Sequence, residues 1–480
     1  MYWPVLALET DGLDRRRLDI GLVVVGIPLV GLYSRFNVDD PFITFRYAWN
    51  FANGHGLVFN PGERILGTTS PLFAILLGWI SDSVESIPRI ADAASGIALI
   101  GVALLLSRII ARDTGESKPV ASLVAPLFVL TSPLLGEAQG FELNLFLVLV
   151  LGGIWAHLGD RAGWAGLLIA AATLFRGDGF VPAVMIGAHL LWSGTGDWRR
   201  FAAAFTVPLA GFALLAWVYY GAPLPNTLAA KRAMGESGLW RGTLYGGARL
   251  AVLYVLQSPL YALLAPLIGA GLWRLWRGGM ASGTALIFAW TTGVLLAYTM
   301  MGIPSAFNYY GPLVPVVGII LGIGTQVLTD RFDSRKGIVS GVVVLVCLAQ
   351  LWPSRSALGA DPNPRYVAYR ECAEQLAQMV RPDQTVAMVE IGILSYFSGR
   401  RILDLVGLVH PEIGPHLAEG DVSWPVRERK PQFVLLHDPP WPSIETGLVE
   451  TDWFGMTYTR QKTFEAPEPY RLVLYNRVKP

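Results

Sequence analysis

The sequence predicts a polytopic α-helical membrane protein of about eleven transmembrane helices with a C-terminal extracytoplasmic α/β domain. Three observations lead there. Of 480 residues, 53% are hydrophobic and 15% charged, and the mean hydropathy is +0.45, far more apolar than a soluble domain needs. Apolar runs long enough to span a bilayer recur as far as residue 352. From residue 353 the chain turns polar, with short β-like runs between turn residues.

The candidate spans lie near 18–36, 88–111, 119–135, 142–158, 163–175, 179–194, 201–220, 248–273, 280–300, 309–328 and 337–352. Of these, 163–175 and 179–194 are short for a full crossing. Lysine and arginine set the orientation. Arg15, Arg16 and Arg17 precede the first span, and alternate loops hold Arg112 with Lys118, Arg161, Arg199 with Arg200, Arg274 with Arg277, and Arg331 with Arg335 and Lys336. Those loops are expected in the cytoplasm. Residues 1–17 then form a cytoplasmic segment: MYWPVLALE is too short, and on the wrong side of the arginines, for a signal peptide, so the first span reads as a signal-anchor.

One further apolar segment, SPLFAILLGWI at residues 70–80, would reverse every later loop if it crossed. At about eleven residues it reads as a juxtamembrane or re-entrant helix. That leaves 37–87 as a first external loop, 18–352 as the transmembrane domain and 353–480 as an external domain at the plasma membrane's outer side. In the last of these, Pro353, Pro362 and Pro364 precede the helix-like RYVAYRECAEQLAQMV and the runs TVAMVEIG, QFVLLHD and YRLVLYNR.

In a polytopic protein the informative residues are ionisable ones outside, where the charge bias does not want them. The first loop opens FNVDDPFITFRYAWN. Pro41 at a first helical position and an aspartate cap predict a helix from 41 to about 53, ended by Gly54. Phe42, Phe45, Trp49 and Ala52 form one stripe and Arg46, Asn50 and Asn53 another, so the helix is expected in the interface with its polar face exposed. A cap occupies one carboxylate; the second is left for a base or a cation ligand. Asp40, directly before Pro41, is the expected cap and Asp39 the expected base.

Three other external places carry charge. GFELNLF puts Glu142 at a helix N-terminus, where the dipole alone favours an acid. LFRGDGF puts Arg176 and Asp178 in a tight turn, paired with each other or open to a phosphate. YYGAPLPNTLAAKR supplies Tyr219, Tyr220, Asn226, Thr227, Lys231 and Arg232, and its two cations suit a lipid headgroup or a substrate phosphate. Asp39, Asp40, Glu142, Arg176, Asp178 and Lys231 are expected to converge on one external cavity.

Other chemistries find no template. A net charge of +1 gives no basic field for nucleic acid. Cys347 and Cys372 are too few and too far apart for a disulfide framework or a metal site. His55 sits alone in a turn, and His410, His416 and His437 are too scattered to propose as ligands. There is no Walker A loop, dinucleotide fingerprint or G-x-S-x-G, and no internal repeat.

The stretch DDPFITFRYAWNFANGHGLVFNPGERILGTTSPL resembles the first external loop of GT-C-fold glycosyltransferases, most of all the bacterial group around the cell-wall arabinofuranosyltransferases. GFEL, RGDG and PLPNTLAAK stand where that group has a Gly-Met-Glu-like element, Arg-Pro-Asp/Glu-Gly, and a Pro-Asn-Thr loop with a lysine. EIGILSYFSGRRILDLVGLVHPE is similar to its C-terminal domain. Phe141 replaces methionine, Gly177 replaces proline, and GTTSPL replaces GYTNFL.

The resemblance implies a sugar donor carried on a polyprenyl phosphate, an acceptor glycan, lipid or protein reached from the outer side of the bilayer, and a catalytic aspartate in the first loop, Asp39 or Asp40. It implies cations for the departing phosphate, Arg176 and Lys231 first and Arg46 and Arg232 after them. Some members hold a divalent cation at the acid pair and others none. The competing class is a transporter or flippase of a lipid-linked or amphipathic substrate. Such proteins place their charges near the bilayer midplane and usually show a repeat.

Overall fold

The computed structural model describes residues 4–33, 38–115, 119–194, 197–239, 260–304, 306–331, 335–359, 363–442 and 444–478. Phe36, Asn37, Lys118, Pro362 and the first part of the 248–273 run lie outside them. Every apolar run contains a helix: Pro4–Tyr33, Ser86–Thr114, Pro119–Leu130 with Pro133–Glu137, Leu143–Leu158, Ala162–Phe175, Phe180–Ser193, Trp198–Tyr220, Leu260–Gly278, Ser282–Met300, Leu313–Arg331 and Arg335–Gly359. The protein is thus a helical bundle embedded in a membrane. Among the described residues, four helices are by length and composition able to cross a bilayer: Ser86–Thr114, Trp198–Tyr220, Ser282–Met300 and Phe307–Arg331. The 119–135 run is divided because Ser132 precedes a proline and takes an extended backbone, ψ 117°, as the ring of Pro133 requires. The final helix of the bundle runs on to Gly359, past the expected boundary at 352.

After the bundle comes a five-stranded mixed sheet, β1 (Thr385–Met388), β2 (Arg401–Asp404), β3 (Phe433–His437), β4 (Tyr458–Phe464) and β5 (Leu472–Arg477), in the order β2-β1-β3-β5-β4. β1 pairs in parallel with β2 and β3 (Val386 opposite Ile402 and Phe433), while β5 is antiparallel to β3 and β4. All five residues of β3 are buried, as a central strand covered on both faces demands. The sequence pattern located β1, β3, β5 and the helix Pro364–Met379, and missed β2 and β4, whose RILD and YTRQKTF carry charges among the apolar positions.

The first loop forms the helices Pro41–Ala52 and Pro71–Ile80; the second is about 15 Å long at 1.5 Å per residue, half a bilayer core. The expectation that Pro41–Ala52 shows a polar face to solvent fails. Arg46 is 4% exposed and Asn50 7%, because the C-terminal domain covers Arg46 and the loop's own Val58 and Phe59 carbonyls take up Asn50; of the three, Asn53 stays exposed. Phe42 meets Tyr366, Tyr396 and Phe397 with ring centroids 5.6–5.9 Å apart, and one apolar core joins Phe42, Phe45, Phe59 and Phe73 of the loop to Tyr369, Leu394, Val409 and Phe433 of the domain.

Polar contacts close this seam. Arg46 donates to the carbonyls of Phe59 (2.7 Å), Arg400 (2.7 Å) and Ser395. Asn60 accepts from the Ile402 amide (3.1 Å) and donates to the Ile402 carbonyl (2.8 Å), mimicking a strand neighbour at the outer edge of β2. Arg370 grips Glu85 at 2.6 and 3.2 Å. Burial pushes the Arg46 pKa down to about 9, yet its head still faces acceptors only. Arg46→Met keeps the length of the stem and strands those buried carbonyls, so stability should fall by about 3 kcal/mol. A melting curve of the detergent-solubilised protein checks this, and an unchanged midpoint would refute the clamp.

Candidate active site

The residues singled out in the loops gather at one end of the bundle. Leu143–Leu158 and Ala162–Phe175 form an antiparallel hairpin, so Glu142, just before the first helix, and Arg176, just after the second, meet. Arg176 donates to Glu142 (3.1 Å) and to both oxygens of Asp178 (3.2 and 3.4 Å), and its guanidinium lies 5.6 Å from the Phe146 ring. It is 6% exposed. Burial opposes its charge, but Asp178, Tyr298 and Glu142 outweigh that and hold its pKa well above the ordinary value.

Tyr298 hydrogen-bonds Asp178 at 3.1 Å and stacks on Tyr309, centroids 4.3 Å apart. The Tyr309 hydroxyl in turn meets Lys231 Nζ at 2.6 Å. Lys231 is held above its usual pKa: burial works against the ammonium, while Tyr309 and then Asp40 favour it more. A continuous polar path therefore runs from Glu142 and Asp178 through Arg176, Tyr298 and Tyr309 to Lys231, with Asp40 close enough to stabilise the lysine's charge. Tyr298 and Tyr309 were not foreseen. Their signal was faint: two tyrosines eleven positions apart, at the end of Ser282–Met300 and in Phe307–Tyr310.

The expected division between the two aspartates is not what the structure shows: the capping carboxylate is Asp39, and the helix it caps lies in the C-terminal domain. Asp40 is exposed, and its side chain makes no capping hydrogen bond to the helix that Pro41 begins. Asp39 is 4% exposed and turns into the C-terminal domain, where its carboxylate accepts from the amides of Gly392 (2.8 Å) and Ile393 (2.7 Å). It thus caps the helix Ile393–Ser398, a partner 353 residues away in the chain. Only glycine fits at 392, since a Cβ there would stand 2.5 Å from Asp39 Oδ2. Burial raises the Asp39 pKa, while Arg365 and the two amides pull it back.

The other candidates are already engaged. Arg46 belongs to the seam described above. Asn226 donates to the carbonyls of Gly407 (2.8 Å) and Leu408 (3.0 Å), and Thr227 to that of Gly67 (2.7 Å). They fasten the helix Thr227–Glu236, which carries Lys231, to the first loop and to the turn after β2. Gly67 leaves room for that turn: a Cβ would lie 2.9 Å from the Leu408 carbonyl. Arg232 sits on the helix's other face, paired with Glu236 at 2.8 Å. There it lines a cavity of about 810 Å³ with Arg64, Leu224, Leu228 and Met300. None of the acids expected to share a cavity lines this one.

The acid pair does not fit a divalent cation. Both Asp39 oxygens accept backbone amides, Glu142 and Asp178 are paired with Arg176, and among the described residues no three His, Cys, Asp or Glu side chains are grouped as a metal site would need.

Known proteins can now be compared. A family profile described as "Domain of unknown function (DUF8728)" matches residues 362–475. A curated relative, the "Terminal beta-(1->2)-arabinofuranosyltransferase" of Mycobacterium tuberculosis, is 26% identical over 384 residues, 68% of this chain. The chain spans 60% of that relative's length. Among solved structures, ArnT from Cupriavidus metallidurans bound to undecaprenyl phosphate superimposes with a TM-score of 0.58 over 96% of this chain and 98% of its own, at 14% identity. AglB, an oligosaccharyltransferase from Archaeoglobus fulgidus in complex with an inhibitory peptide and a dolichol-phosphate, gives a TM-score of 0.55 over 87% of this chain and 69% of its own, at 10% identity. At such identities the likeness establishes the architecture, and that architecture is the GT-C fold that the opening loop implied.

Proposed function

We propose that the protein is an integral membrane glycosyltransferase that moves a sugar, a pentofuranose such as arabinofuranose, from a polyprenyl-phosphate donor to an acceptor glycan, lipid or protein on the outer side of the membrane. The observation that carries this reading is a half-buried ammonium, Lys231, held by the Tyr309 hydroxyl at 2.6 Å, with the exposed carboxylate of Asp40 near enough to favour its charge. The 26% identical arabinofuranosyltransferase and the lipid-phosphate-bound GT-C structures support the same class of donor.

In this mechanism an acceptor hydroxyl attacks the anomeric carbon and Asp40 takes its proton. The new C–O bond forms as the bond from the anomeric carbon to the phosphate oxygen breaks, and Lys231 stabilises the charge developing on the departing polyprenyl phosphate. Arg176 already balances two carboxylates, so it serves to position the Tyr298–Tyr309 stack, and through it Lys231. Asn226 and Thr227 hold the lysine's helix in place. The cavity behind that helix, with Arg64 and Arg232 at its polar side and Leu224, Leu228 and Met300 along its apolar side, suits the lipid portion of a substrate.

The topology that goes with this reading has eleven spans, a cytoplasmic N-terminus, and both the 37–87 loop and the 353–480 domain outside. In a variant lacking Cys347 and Cys372, a membrane-impermeant maleimide should label Glu450→Cys from outside and leave Arg331→Cys unlabelled until the membrane is opened. The opposite pattern would invert the topology.

Mutations should separate the roles. Asp40→Asn removes the base and little else, so transfer from a polyprenyl-phosphate sugar should slow on the order of a hundredfold or more with the melting temperature kept. Asp39→Asn instead puts an amide NH₂ against a backbone N–H, and should lower the melting temperature. A fully active Asp40→Asn enzyme sinks this mechanism.

The two cations should divide likewise. Lys231→Met should cut turnover on the order of a hundredfold in a folded protein. Arg176→Met leaves Glu142 and Asp178 buried without their counter-charge and should cost about 3–5 kcal/mol of stability. Equal effects of the two on melting would show that Lys231 is as structural as Arg176.

A further inference from the structure

The hairpin that carries Glu142 and Arg176 at one end has a second polar feature at the other. Gly159 ends the helix Leu143–Leu158, Arg161 precedes Ala162–Phe175, and Arg112 lies in the last turn of Ser86–Thr114. Together with Gly152, Trp155, Ala156, Trp164 and Leu168 they line a pocket of about 520 Å³. A sixteen-residue helix is about 24 Å long, so this pocket lies across the bilayer core from the candidate active site.

Its chemistry is graded. Both arginines are exposed, and neither has an ion pair among the described residues. The acid beside Arg112 does not neutralise it, because Asp113 is spent on the Thr284 amide (2.6 Å) and hydroxyl (2.7 Å). Seven residues along each helix, about 10 Å deeper, the lining turns apolar: Gly152 below Gly159, and Leu168 below Arg161. Trp155 and the 65% exposed Trp164 stand between the two levels, at the height where indoles mark the junction of headgroups and acyl chains.

We propose that this pocket binds an anionic phospholipid of the adjacent leaflet, its phosphate between Arg112 and Arg161 and one acyl chain in the groove beside Gly152 and Leu168. A guanidinium pair matches a phosphate in charge and geometry, and the apolar floor and the tryptophans match a chain anchored at that depth. A soluble anion would use the arginines and leave the floor uncovered. The site is independent of sugar transfer.

Native mass spectrometry of the full-length protein tests this, in detergent mixed with phosphatidylglycerol and phosphatidylcholine of identical chains. The wild type should retain phosphatidylglycerol roughly tenfold over phosphatidylcholine, since each arginine near the surface adds attraction for an anionic headgroup. The Arg112→Gln/Arg161→Gln variant should lose that preference. Arg199→Gln/Arg200→Gln, which removes equal charge outside the pocket, should keep it, and Trp164→Ala should weaken retention of both lipids. The proposal is overturned if the wild type shows no preference, if the Arg199/Arg200 variant loses as much as the pocket variant, or if millimolar inorganic phosphate displaces the lipid.

Discussion

The buried seam between the first loop and the C-terminal domain is the constraint from which the rest of the site follows. Asp39 on the amides of Gly392 and Ile393, Arg46 on the carbonyls of Ser395 and Arg400 and Asn60 on Ile402 join parts of the chain more than 330 residues apart. Each is a charged or polar group taken out of water, and it is tolerated because its hydrogen bonds are satisfied. The helix Pro41–Ala52 is consequently fixed from above by the domain and from below by the bundle. Asp40, one residue before that helix, has its position set by neighbours on both sides.

The same economy of charge distinguishes the two cations. Arg176 is enclosed by Glu142, Asp178 and Tyr298, and each nitrogen of its planar head makes a hydrogen bond. Lys231 has a phenol as its close partner and a carboxylate further off. The guanidinium is thus neutralised by close ion pairs, whereas the ammonium has no carboxylate within ion-pair distance among the described residues. On the proposed mechanism the arginine does the work of architecture and the lysine meets the substrate anion. The turn after β2 contributes as well, since its Gly407 and Leu408 carbonyls hold Asn226 at the start of the lysine's helix. The C-terminal domain is thereby part of the site's scaffold, although neither Asp40 nor Lys231 belongs to it.

The amino-acid sequence by itself determined the class of the fold and the neighbourhood of the site. Apolar runs placed a helix in every segment expected to have one, because hydropathy summed over about twenty residues is a local property that packing cannot reverse. Pro41 fixed the start of its helix for an equally local reason. Charged residues outside the spans pointed to the loops that converge, since an ionisable group beside a bilayer needs a partner or a task. Only the tertiary structure decided which task. Asp39 and Asp40 are chemically identical neighbours, and which of them is buried depends on Gly392, a residue no local pattern connects to them. Arg46 and Asn50 read as an exposed polar stripe because amphipathicity reports that a face is polar without reporting what covers it. The strands β2 and β4 escaped notice because their charged residues are accommodated by pairing with other strands, a long-range interaction. Contacts between groups hundreds of residues apart carry no periodicity and no spacing, so their outcome exists only once the chain has folded.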